Sequence, residues 1–180
     1  MMDRDFISRL QNAIAPTRAW IETYLRKHSS SSRSVASLGI DTLTRCYPEP
    51  LLQCAQVVFV DTLEYPPLAR FGLPEFEAQE QREFDGITFD NTYFLRTGLK
   101  RESVHFHELV HVIQWQHLGL NQFLLAYGIG LAQLGYEDSP LERMAYDLQI
   151  EFEHGIYRRQ LVQDVQKHTD EIWVEAAKLL

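Results

Sequence analysis

Residues 102–119 read ESVHFHELVHVIQWQHLG, and this stretch decides the fold. Val104, Leu109, Val110, Val112, Ile113, Trp115 and Leu118 cover most of a helix's circumference, which predicts a helix buried on all sides. His107 and His111 stand one turn apart on one face, so both imidazoles can reach a single ion at about 2.0–2.1 Å. Glu108 lies about 100° around the same helix, placed to touch a water on that ion without ligating it. Three ionisable groups in one turn of an apolar helix are costly unless paired or bound to metal. The HExxH pattern therefore predicts a zinc site suited to metal-assisted hydrolysis.

Working outward, two residues compete as third ligand. His117 gives the spacing H-E-x-x-H-x5-H, but a helix break before it normally uses a glycine, and Gln114 stands at that position. If the helix runs on to Gly119, His117 lies about 9 Å along the axis from His111 and reads as a surface or cap residue. Glu142 opens a second helix after Ser139-Pro140, beside a core stripe of Leu141, Ala145, Leu148 and Phe152. The residues alone leave it two roles: the third member of a His2Glu set, or a dipole-stabilising carboxylate in a first helical turn. Glu137 and Asp147 are weaker substitutes. Gln114, one turn beyond His111, is a polar surface residue or a hydrogen-bond partner of a ligand, and Trp115 is a core residue.

The rest of the chain predicts an α+β fold with helices dominant. Phe6–Lys27 has helical apolar spacing, with Pro16 separating two segments or starting the second. Ser29–Ser34 reads as a flexible loop. A short helix is expected at Glu49–Gln53 and a strand at Gln56–Leu63, followed by an irregular connection marked by Pro66, Pro67 and Pro74. Ile87–Arg96 reads as a hairpin turning at Asp90-Asn91, a single strand being the competing assignment. Helices are expected over roughly Glu102–Leu118, Asn121–Leu134 and Pro140–Arg159, with a last one ending near Leu180. The 180 residues suit a single domain, with residues 1–51 a helical amino-terminal extension packed on a 52–180 core.

A net charge of -8 spread along the chain, with no basic stripe, excludes a dedicated nucleic-acid surface. Met1-Met2-Asp3-Arg4-Asp5 is acidic where an export signal is basic, and no apolar segment follows, so no export signal is expected. Apolar runs such as Leu51–Val60 are too short to span a bilayer, and the expectation is a soluble cytoplasmic protein without a membrane partner. Cys46 and Cys54 make no disulfide framework and are expected to be free buried thiols.

From Gly86 to Glu153, the order of a hairpin (GITFDNTYF), HELVHVIQW and then PLERMAY resembles bacterial zincin-like domains of the gluzincin type. The resemblance implies a mostly helical zincin-like domain with a small antiparallel sheet or hairpin before the HExxH helix. It implies zinc held by His107, His111 and Glu142, with Glu108 as general base acting on a zinc-bound water. Two departures stand out. Asp90 replaces the glycine frequent at the hairpin turn, and Tyr146 replaces an aspartate that often follows the glutamate ligand by four residues. The expected activity is that of a metallopeptidase acting on a peptide or protein; the hairpin is either a strand-addition edge for that peptide or ordinary sheet scaffolding. Tyr146, Tyr136, Tyr127 and His105 are candidate donors to the developing oxyanion. The alternatives are a non-proteolytic zinc-binding domain and a helical partner-binding protein.

Overall fold

A computed structural model describes residues 4–180; Met1–Asp3, part of the segment read for an export signal, lie outside them. The first helix, α1 (Arg4–His28), runs unbroken through Pro16 rather than dividing there. Leu10 and Ala13 before the proline and Thr17 and Ile21 after it are all buried. Packing on both sides therefore outweighs the one backbone bond that the proline removes. The serines that follow form a 3-10 turn, not a flexible loop. The hydroxyls of Ser29, Ser31 and Ser32 donate to carbonyls three residues back, at 2.9, 3.0 and 3.2 Å. Side chains that bond their own backbone give this polar run a defined shape.

A short strand, β1 (Arg33–Ser34), leads through α2 (Asp41–Thr44) and α3 (Glu49–Cys54) to β2 (Gln56–Val60), which stops before Leu63. Residues 61–85 form a strap of 3-10 turns with one short helix, α4 (Glu77–Glu80). The hairpin follows as β3 (Gly86–Phe89) and β4 (Thr92–Arg96). Its turn rests on Asp90, whose φ of 56° makes it the left-handed residue. The sheet order is β1-β2-β4-β3. It is mixed rather than wholly antiparallel, because β2 pairs in parallel with β4 while both outer pairs are antiparallel. Local turn chemistry fixed the hairpin; the long-range pairing of β2 was set by the strap that carries the chain back.

α5 (Glu102–Asp138) is interrupted at Gly119 and Gly135, whose φ values of 70° and 77° are left-handed. The first interruption reverses the chain. On a straight helix Tyr127 would lie about 24 Å along the axis from His111. Instead Phe123 stacks on Trp115 with centroids 4.0 Å apart, and Tyr127 returns to the level of His111. α6 (Pro140–Glu153) ends short of Arg159, where Gly155 takes a φ of 74°, and α7 (Leu161–Ala177) completes the chain.

The two faces of the sheet feed two apolar clusters. Val57, Tyr93 and Leu95 pack with the start of α5 and with α6, while Val58, Phe89 and Phe94 pack with α1 and the second half of α5. Among the described residues no helix is long and apolar enough to cross a membrane. Both cysteines are free, but only Cys46 is buried; Cys54 is exposed.

Candidate metal centre

The start of α5 is buried on every side, as its composition predicts, and carries His107, Glu108 and His111 into the interior. Tyr47, on the loop after α2, donates its hydroxyl to the Phe106 carbonyl at 2.7 Å. α6 crosses this segment and presents Glu142 from its first turn. His107, His111 and Glu142, all buried, offer ligand atoms within 4.8 Å of one another. The two Nε2 atoms are 3.0 Å apart, and Glu142 Oε2 lies 3.5 Å from the first and 3.4 Å from the second. Such separations are close to the about 3.3 Å expected between ligands around a tetrahedral ion with bonds of about 2.0–2.1 Å.

The remaining polar atoms show which way these side chains are directed. Gln114 is fully buried and donates through Nε2 to the Leu141 carbonyl at 3.1 Å. Its Oε1 must therefore accept from His111 Nδ1, 2.8 Å away, and in the neutral ring this leaves the Nε2 lone pair facing His107 and Glu142. Tyr127 donates to Glu142 Oε1 at 2.6 Å, while Glu142 Oε2 is buried with no hydrogen bond of its own. A buried carboxylate oxygen left without a hydrogen bond, facing two imidazole nitrogens, is a cation-seeking arrangement.

Electrostatics agree. Burial alone would lower His111, but the Glu142 carboxylate outweighs it and raises the imidazole to about 9. Burial likewise opposes charge on Glu142, and the two histidines override it to hold the carboxyl below its ordinary range. A charge that draws a proton to this cluster draws a divalent cation in its place. The residues thus fit a metal ion.

Glu108 does not join the cluster. Its Oε2 accepts from the Thr88 hydroxyl at 2.7 Å, and a Cβ at Gly86 would overlap its Oε1. Alternation along β3 sends Gly86 and Thr88 toward α5 and Phe89 toward α1, so the strand edge both holds the carboxylate and makes room for it. Burial raises the Glu108 pKa, against the partial opposition of His107 and His111.

A cleft enclosing about 850 Å³, its open mouth included, has Glu108 and the three clustered residues in its lining. Of the candidate oxyanion donors, His105 is turned elsewhere, bonded through Nδ1 to the Tyr93 hydroxyl at 2.8 Å. Tyr127 has committed its hydroxyl to Glu142. Tyr146 packs its ring on His107, centroids 4.5 Å apart, and Tyr136 lines the cleft. Sequence reasoning missed Tyr65, a strap residue in the lining whose ionisation is opposed by burial and then by both Glu108 and Glu142. No spacing rule links the strap to α5. His117 is exposed and pairs with Asp170 at 2.7 Å, away from the centre. Glu137 pairs with Arg82, and Asp147 is exposed.

Comparisons with protein-family models, with curated proteins and with solved structures return no match.

Proposed function

We propose that this chain is a zinc-dependent hydrolase allied to the gluzincin-type domains it resembles, and that it cleaves a peptide or related amide bond. The observation that carries this reading is the convergence of His107 Nε2, His111 Nε2 and Glu142 Oε2, while Gln114 and Tyr127 occupy the other polar atoms of His111 and Glu142. The chain order of hairpin, HExxH helix and glutamate-bearing helix supports the alliance.

A bound zinc ion would supply Lewis acidity, polarising a carbonyl and bringing the pKa of water toward about 7. Glu108 is the proton carrier. Thr88 engages Oε2, which leaves Oε1, beside Gly86, to accept a proton from the attacking water and return it to the leaving nitrogen. The upward shift that burial gives Glu108 suits a group that must both take and release a proton. Tyr65 and Tyr136, which both line the cleft, are the hydroxyls left as candidate donors to the developing oxyanion, since Tyr127 is already engaged.

Metal analysis of the purified protein, followed by cleavage of a peptide library by wild type and Glu108→Gln, tests the reading. Stoichiometric zinc with hydrolysis lost in the variant supports it. Clearly substoichiometric metal after careful purification would sink it. Zinc bound without hydrolysis would assign the centre a structural role.

A further inference from the structure

The cleft is lopsided in its chemistry. Its ionisable cluster sits where α5 meets α6, and Thr17, Gln79 and Glu80 add polar groups from α1 and the strap; the wall between them is apolar: Ile21 from α1, Phe89 from β3, Trp115, Phe123 and Leu124 from the two arms of α5. Two features make that wall a built surface. Trp115 stacks on Phe123 at an interplanar angle of 20°, and Phe123 on Tyr127 at 14°, giving a graded series of rings that ends on the hydroxyl bound to Glu142. Gly128 lies where a Cβ would come within 2.7 Å of Leu10, so its absence lets α1 close against α5 and complete the wall. Beyond lies a second hollow of about 340 Å³, sharing Thr17, Leu68, Leu124, Tyr127 and Leu131 with the first.

Resting on the metal-centre reading above, we infer that the substrate carries a bulky apolar group, and that this group seats in the hollow between α1 and the arms of α5 while its scissile carbonyl lies at His107, His111 and Glu142. An apolar group there leaves water for rings and aliphatic side chains, whereas a charged group would meet mostly carbon on that wall, Thr17 being its polar exception. The selecting wall includes α1, which lies outside the segment Gly86–Glu153 that bears the motif. The amino-terminal helix is therefore a specificity element, and Leu124, half-buried on the partition between the hollows, sets the depth available.

The test uses hydroxamates that share one metal-seeking head, titrated into the zinc-loaded full chain by calorimetry: acetohydroxamate, 3-phenylpropanohydroxamate and octanohydroxamate. The two apolar members are expected to bind at least roughly tenfold more tightly than acetohydroxamate. Leu124→Trp, which fills the hollow, is expected to erase most of that gain and leave acetohydroxamate binding unchanged. Equal affinity across the series would overturn the apolar seat while leaving the metal centre intact, and the wild-type series decides this even if the variant fails to fold. 3-Phenylpropanol, which lacks the head, separates the two readings. If it binds in a Leu124-dependent way to protein that takes up no metal, the seat stands and the hydrolase reading falls.

Discussion

The floor of the cleft and the strap that roofs it surround one cavity but are held by different forces. The floor, where α5 meets α6, is held by buried hydrogen bonds: Gln114 ties His111 to the Leu141 carbonyl, Tyr127 ties Glu142, and Thr88 ties Glu108. The strap, residues 61–85, is pinned in its middle by buried Leu73 and Phe76, by ring contacts of Phe84 with Tyr65 and Tyr136, and along its surface by exposed ion pairs. Those pairs include Lys27 with Glu64 at 2.7 Å, Arg9 with Glu75, Arg82 with Glu137 at 3.0 Å, Arg96 with Glu83 at 3.4 Å, and Arg101 with Asp85. Buried hydrogen bonds hold atoms in register, whereas exposed pairs add little and weaken with salt. Groups that need fixed positions therefore sit on the floor, and the strap is the more easily opened part of the lining.

The sharpest way to break this contrast is at the floor. Glu142→Ala is expected to abolish stoichiometric zinc binding, measured by metal analysis after dialysis, because two imidazoles remain without their carboxylate. Glu108→Gln should keep the metal and lower kcat by roughly 10²–10⁴, the usual worth of a general base, in a peptide-cleavage assay. Retained activity would remove Glu108 from the chemistry. Gln114→Leu is expected to weaken zinc binding by about 10–100-fold in a competition titration, since His111 loses the acceptor that orients it. The smallest effect belongs to the roof. Arg82→Ala should cost no more than about 1 kcal/mol in denaturant unfolding, yet speed amide exchange within the strap. If exchange accelerates equally in α5, the two walls open as one unit and the contrast fails.

Local signals survived the passage to three dimensions well. Continuous apolar character from Val104 to Leu118 predicted a buried helix, and the structure keeps the helix to Gly119, which removes His117 from the centre. Asp90-Asn91 predicted the hairpin turn, and the Asp90 backbone makes it. Pairwise distance is where the reading ended. Nothing in their spacing connects Gly86 and Thr88 to Glu108, because the hairpin and α5 meet only through the packed sheet. Gln114 was within reach of sequence reasoning, being one turn from His111, but its burial and its second bond to Leu141 depend on where α6 crosses. The breadth of the serine run and the continuity of α1 through Pro16 were misread for a related reason. Both depend on contacts that composition does not encode.

What the sequence by itself determined is the HExxH turn: two imidazoles on one helical face and a carboxylate beside them follow from 3.6 residues per turn and from nothing else. Glu142 could be nominated from sequence but not located. Its place opposite both histidines required the chain to reverse at Gly119 and α6 to cross the first arm of α5. The apolar wall is tertiary in the same sense, since Ile21 and Phe123 are far apart in the chain and meet only when α1 closes on α5. Helical periodicity acts over neighbouring residues and can be read directly, whereas a site shared among separate elements exists only once burial of their apolar faces has fixed how they pack.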